Sequence, residues 1–177
     1  MLRAVAEDDM LKAAVTLTGQ YRDREGDIEW LTEEGYAARL AQGLSVKAKY
    51  ETTGEIDYVA SVEEVDMNVG MPGKFVWDWY HVWADKGLWD NRYGVMSDAD
   101  LLPYESISGA RTLTKPYLLI HSEISFLPEP ARRHHEAMPS ARKRLLWDGD
   151  TPHLSYFDQP EVLDRTAASI NKWVGEI

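Results

Sequence analysis

An α/β fold built on a few-stranded parallel sheet is what this chain predicts, and three observations predict it. Residues 105 to 177 alternate strand and helix: "KPYLLIHSE", "PEPARRHHEAM", "ARKRLLWDGD" and "PEVLDRTAASINKWVGEI" follow one another. Strand, helix, strand, helix implies parallel pairing with crossover helices. The strand segments are continuous apolar runs, which suit a sheet covered on both faces. The chain has 177 residues, 44% hydrophobic and 28% charged. That favours one ordinary globular domain, residues 1–177.

The elements follow in order. Residues 1 to 19 read as the tail of a helix, an acidic turn "EDD" and an apolar strand "LKAAVTLTG". Residues 20–104 read mainly as helices and loops, a helical lid inserted into the domain. There "LTEEGYAARLAQGL" places Leu31, Tyr36, Leu40 and Leu44 near helical spacing, with Thr32 available as an N-cap. "SVEEVDM", led by Ser61, is read as a further helical turn or two. In "KFVWDWYHVWADKGLWDNRY" the tryptophans Trp77, Trp79, Trp83 and Trp89 lie close together. Such density is either the insertion's own packing core or an aromatic-lined substrate pocket, with Trp77, Trp79 and Trp83 as candidate substrate-binding residues. Pro116 leads in the first C-terminal strand, and prolines near the start of "PEPARRHHEAM" cost little there. The closing helix is marked by Asp158 and Pro160, with Val162, Leu163, Thr166, Ala167, Ile170 and Val174 as one face.

Composition removes several function classes. The net charge of -11 opposes nucleic-acid binding, which needs a basic face to displace phosphate counterions. The one basic cluster, Arg142, Lys143 and Arg144, reads as a solvated approach to a strand. Runs such as "YLLI" fall far below the ~20 residues of a membrane span, and "MLRAVAEDDM" lacks the pattern of a signal peptide. There are no cysteines, which excludes disulfides and thiol nucleophiles and fits a cytoplasmic protein. The pair His134–His135 is adjacent on a predicted helix and so points to different faces. A two-histidine ligand set wants i and i+4, so no metal site and no cofactor are expected.

In parallel sheets chemistry sits beyond the carboxyl ends of the strands. Two strand ends deliver polar loops there, "HSEIS" from His121 to Ser125 and "DGDTPH" from Asp148 to His153. With these loops placed, the chain resembles the α/β-hydrolases, in particular the dienelactone-hydrolase-like branch. "MLRAVAEDDMLKAAVTLTG" is similar to the helix and strand after that family's nucleophile. "NRYGVMSDADLLPYESISGARTLTKPYLLIHSE" resembles the route out of its lid into the acid-bearing strand. "LPEPARRHHEAMPSARKRLLWDGDTPHLSYFDQPE" resembles its final strand, histidine loop and closing helix.

The resemblance implies a triad in the order serine or cysteine, acid, histidine. His153 matches the histidine, whose role is to take the nucleophile's proton and return it to the leaving group. A plain loop histidine bonded to backbone is the alternative. The family's aspartate position holds Ser125, which cannot stabilise an imidazolium as a carboxylate does. Glu123 is the nearby substitute, unless it is simply a strand-end carboxylate paired with Arg132 or Arg133. A nucleophile elbow needs G-x-S-x-G between strand and helix. "GVMSDAD" and "ESISGA" both fail that spacing, and the resemblance places the elbow before Met1. The chain therefore resembles the C-terminal portion of a hydrolase.

Three functions follow. One is a hydrolase of ester or lactone-type acyl substrates, working when a serine-bearing half is supplied. Another is a non-catalytic small-molecule-binding protein or structural remnant. The third is other chemistry, with His153 and Asp148, Asp150 or Glu123 as general acid or base. Expected partners are a small-molecule ligand and either a second copy or a partner chain, because the strand "LKAAVTLTG" would otherwise leave an apolar edge open.

Overall fold

A computed structural model describes all 177 residues. The chain divides into two compact units. The first comprises Met1–Trp30 and Tyr104–Ile177, and the second is Leu31–Pro103. The expected insertion began at residue 20, but Tyr21 packs in the core of the first unit.

In chain order the elements are α1 (Leu2–Glu7), β1 (Ala14–Leu17), α2 (Arg24–Leu31) and α3 (Glu33–Thr53). Three two-residue strands follow, β2 (Tyr58–Val59), β3 (Val62–Glu63) and β4 (Met71–Pro72), then α4 (Lys74–Asp85) and β5 (Tyr93–Gly94). A 3-10 turn at Val95–Ser97 leads into α5 (Asp98–Leu101) and α6 (Ile107–Thr112). The chain ends with β6 (Tyr117–His121), α7 (Pro128–Ala137), β7 (Lys143–Trp147), α8 (Ser155–Asp158) and α9 (Pro160–Val174). No helix is long and apolar enough to cross a membrane.

The first unit is the α/β sheet layer. Its strands run β1-β6-β7, all parallel, with Leu119 opposite both Thr16 and Leu145. β6 is buried along its whole length, as a continuous apolar central strand should be. Its side chains alternate between two cores. Tyr117 and Leu119 join Leu2, Val5, Ala110, Leu113, Ala131 and Met138 on one face. Leu118 and Ile120 join Tyr156, Val162 and Trp173 on the other. Helices thus cover both faces of the sheet, which is the arrangement parallel pairing requires.

Helix ends are satisfied by lysines. Lys143 Nζ donates to the carbonyls of His135, Glu136 and Met138, closing the C-terminus of α7. Lys115 Nζ does the same for α1 through Val5 O and Asp8 O. A cation there also opposes the negative end of the helix dipole. Arg144 pairs with Glu176 at 2.7 Å. The basic cluster is thus structural in detail, with Arg142 on Ile177 O, Lys143 on helix-end carbonyls and Arg144 on a carboxylate.

α9 corrects one expectation. Its buried residues are Val162, Thr166 and Trp173, while Leu163 and Val174 are exposed. Spacings of four and seven turn Trp173 inward where Val174 was expected. α1 and α6 cross closely because position 109 is glycine. A Cβ there would meet Arg3 N at 2.6 Å and Arg3 Cα at 2.8 Å, both backbone atoms. Gly109→Ala is therefore expected to destabilise the protein by about 1–3 kcal/mol, read as a lower urea midpoint. An unchanged midpoint would show that the two helices separate freely.

The second unit is mainly helical. α3 starts at Thr32, whose side chain accepts from Gly35 N at 3.2 Å, and ends at Gly54 with φ of 73°. Arg39 holds Asp98 at 2.7 Å, and the Tyr36 hydroxyl donates to Leu102 O. The segment led by Ser61 is a strand, not the expected helical turn. Val62 is fully buried, and Asn91 bonds both its N–H and its carbonyl. Ser61 O accepts from Met71 N, which commits β3 to parallel pairing with β4.

Candidate functional site

The carboxyl ends of β6 and β7 bring two loops together. Asp148 N donates to His121 O at 2.7 Å, and Glu123 N donates to Gly149 O at 2.8 Å. Gly149 has φ of 52°, a left-handed conformation glycine adopts without a side-chain penalty. The Ser122 hydroxyl donates to Thr151 O at 2.6 Å and shares a 2.7 Å bond with Ser125 Oγ.

Asp148 braces the histidine loop. Its carboxylate accepts from Tyr156 Oη at 2.9 Å and from Arg165 Nη2 at 2.7 Å, and the same guanidinium reaches Thr151 Oγ1 at 2.7 Å. Arg165 and Tyr156 hold the Asp148 carboxyl below its ordinary range despite the opposing pull of burial, the largest single influence. The hydrogen bond from Tyr156 adds to burial in pushing that phenol up to about 12. Asp148 is thus a structural anchor. Asp150 is exposed beside it.

His153 stands at the end of this loop. Phe126 N–H donates to its Nδ1 at 3.4 Å, and Phe157 packs edge-on with ring centroids 5.7 Å apart. No carboxylate is hydrogen-bonded to the ring. Burial first, and His121 second, lower its pKa, so the ring is neutral at pH 7. Ser125 is buried next to Phe126 with its hydroxyl on Ser122. The structure brings Ser125, Phe126 and His153 together.

Glu123 is not in that set. Its carboxylate pairs with Arg132 and accepts from Trp147 Nε1 at 2.9 Å. Arg132 lies 3.6 Å over the Trp147 ring, which fixes the group further. The reading of Glu123 as a strand-end carboxylate paired with Arg132 is the geometry observed. His121 is fully buried and stacked on Trp147 at 5.4 Å. Its Nδ1 faces Ser122 O at 3.0 Å, and its Nε2 has no partner.

Trp77, Trp79 and Trp83 all lie on α4, in the second unit. Trp77 stacks on His81 at 5.0 Å, and Trp79 meets Tyr80 at 4.6 Å and Trp83 at 5.9 Å. Much of each ring packs against neighbours on its own helix. Trp83 Nε1 is buried without a partner. The same segment leaves Phe75, Val82 and Leu88 exposed.

A serine–histidine contact elsewhere escaped the sequence reading. Ser106 Oγ lies 2.9 Å from His134 Nε2, His134 Nδ1 lies 2.7 Å from Pro130 O, and Asp23 Oδ2 is 3.9 Å away. Asp23, Ser106 and His134 are far apart in sequence, so no local spacing could reveal them. All three are buried, and they tie α6, α7 and the approach to α2. Burial as complete as this makes the set a packed polar network. No group of three or more histidines and carboxylates has the geometry to hold a metal ion.

Burial lowers the pKa of His121, His134, His135 and His153 alike. An unfolded histidine titrates near ~6.5, so below that pH the unfolded chain binds more protons than the folded one. Stability contributed by these rings is therefore present above pH ~6.5 and is lost as pH falls from there through their depressed folded values. The urea midpoint is expected to be lower at pH 5.5 than at pH 7.5. A rise on acidification would mean that at least one of these rings is charged in the folded protein.

No family model matches the chain, and no curated protein matches it in sequence. Its likeness is to solved structures. One is a hypothetical protein from Pseudomonas aeruginosa, 20% identical, with a TM-score of 0.71 over 97% of this chain and 56% of that one. Another is a monoacylglycerol lipase from Paleococcus ferrophilus, 16% identical, TM-score 0.62, over 99% and 64%. A third is an enol-lactonase from Burkholderia xenovorans LB400, 12% identical, TM-score 0.50, over 98% and 60%. The chain carries part of the α/β-hydrolase fold. It spans about three-fifths of the length of these structures. The α/β-hydrolase fold places chemistry beyond the carboxyl ends of its strands, the edge at which Ser125 and His153 lie.

Proposed function

We propose that this chain is the histidine-bearing portion of an α/β-hydrolase of the dienelactone-hydrolase-like branch. It acts on ester or lactone-type acyl bonds when a nucleophile-bearing segment completes it. The observation that carries this reading is His153 beside Ser125 and Phe126, where the loops after β6 and β7 meet. Monoacylglycerol lipases and an enol-lactonase among similar folds support the substrate class. Residues 31–103 act as the lid, with Trp77, Trp79 and Trp83 as its aromatic ligand surface. The lack of cysteine supports a reducing compartment such as the cytoplasm.

The completing segment adds a strand beside β1. The sheet ends at β1, whose outer edge is unpaired, and open edges recruit strands. A partner chain, or failing that a second copy, fills it. Sedimentation tests this: a stable, non-associating monomer with no partner recovered would count against it. The coding DNA upstream of the Met1 codon tests the nucleophile. An in-frame G-x-S-x-G or G-x-C-x-G, expressed with this chain, should give ester turnover that His153→Ala abolishes. Turnover indifferent to His153 would end the proposal.

A second reading has its own observation. Ser125 replaces the acid, and a backbone N–H occupies the nitrogen an acid would hold. Both favour a non-catalytic protein that binds a small molecule at this edge.

A further inference from the structure

His153 is bonded at one ring nitrogen and open at the other. Phe126 N–H donates to Nδ1, and a nitrogen that accepts an N–H cannot carry a proton itself. A neutral imidazole then has its proton on Nε2. That nitrogen has no protein partner and is not fully buried. A triad histidine needs the reverse, with Nδ1–H given to the acid and a bare Nε2 to take the nucleophile's proton. Ser125 leaves no negative charge to impose that reverse, because its hydroxyl is already committed to Ser122.

We infer that His153 works in this chain as a hydrogen-bond donor through Nε2–H, receiving the carbonyl-type oxygen of a small lactone or acid. This rests on the binding reading above. It also sharpens the hydrolase reading: the completing segment must turn the ring from the donor's tautomer to the acceptor's as well as bring the nucleophile. Apart from the buried, unpartnered Nε2 of His121, the polar groups of the two loops named above are accounted for. Ser122, Ser125 and Thr151 satisfy one another, and Asp148 and Glu123 are each held by an arginine. The His153 Nε2–H is left as the donor free for a ligand.

Nitrogen NMR of the labelled protein at pH 7.5 tests the tautomer directly, with His153→Gln and His153→Ala for assignment and function. The expected result is a protonated Nε2 and an unprotonated Nδ1. The opposite assignment overturns the proposal. Titration with butyrate and with γ-butyrolactone tests the ligand class. One or both should move the His153 and Phe126 resonances. His153→Ala should weaken that binding by about tenfold or more, as loss of one such bond implies. His153→Gln, which keeps a side-chain N–H donor, should recover most of it. Binding equal in wild type and Ala would overturn the donor role and leave the binding reading standing. Failure of both ligands to move Phe126 or Thr151 would overturn the donor role and the binding reading together.

Discussion

Replacing Ser125 with aspartate is expected to invert the His153 tautomer and to raise the pKa of that ring. The wild-type ring is neutral, kept so by burial and by His121, and Phe126 N–H faces its Nδ1. A carboxylate at position 125 would sit one residue from that N–H. It would accept a hydrogen bond from Nδ1–H, favouring the tautomer that carries that proton, and would stabilise the imidazolium. Ser122 Oγ, now 2.7 Å from Ser125 Oγ, would have to turn its one proton away from Thr151 O to donate to the same carboxylate. A charge-assisted hydrogen bond contributes about 1.5–3 kcal/mol, and about 1.4 kcal/mol is tenfold in a population. The tautomer ratio should therefore shift by at least about tenfold. Nitrogen NMR and a histidine titration read both effects. A ring still protonated at Nε2, with its pKa still depressed, would show that position 125 does not address His153.

Leu119→Ala is expected to be the most damaging of the core truncations. Leu119 lies at the centre of the middle strand, fully buried, and packs in the core with Leu2, Val5, Leu113 and Met138. Neighbours on both sides pair with it, so the backbone cannot move in to fill the gap. Loss of transfer energy together with the cavity costs about 2–5 kcal/mol. Leu163→Ala makes the control. Leu163 is 38% exposed on α9, and its truncation should cost no more than about 0.5 kcal/mol. Urea denaturation separates the two. Equal losses would mean that the sheet is not the stabilising centre of the first unit.

The contrast between these two leucines also marks what the sequence discloses. "YLLIH" is apolar at every position, so its burial as a central parallel strand was legible directly. On α9, Leu163 and Val174 were read as inward because they are apolar, yet Trp173 occupies the core. An amphipathic helix can still rotate by one residue to bury its largest side chain. β3 was misread because "SVEEVDM" carries helix formers. The Asn91 side chain, distant in sequence, bonds the Val62 backbone and overrides that local preference. Propensity yields to tertiary contacts in this way when a segment is short.

The site was legible in its placement and less so in its state. That His153 reaches the loop of Ser125 and Phe126 follows from two loops leaving adjacent parallel strands. Which ring nitrogen is occupied follows from a backbone N–H at Phe126, and no residue type encodes that. Glu123 had two open readings in the sequence, and the choice between them needed the position of Arg132 and the Trp147 indole. The contact between Ser106 and His134 joins α6 to α7, and only the folded chain brings those residues together.

On the proposed function, His153 is a hydrolase histidine with neither the acid nor the nucleophile that would make it a base. Turnover of p-nitrophenyl butyrate by the purified chain tests it most directly, alongside His153→Ala and a fluorophosphonate label. No turnover above the uncatalysed rate, no difference in the variant and no labelled serine are expected. Turnover that His153→Ala abolishes, with a serine of this chain labelled, would contradict it.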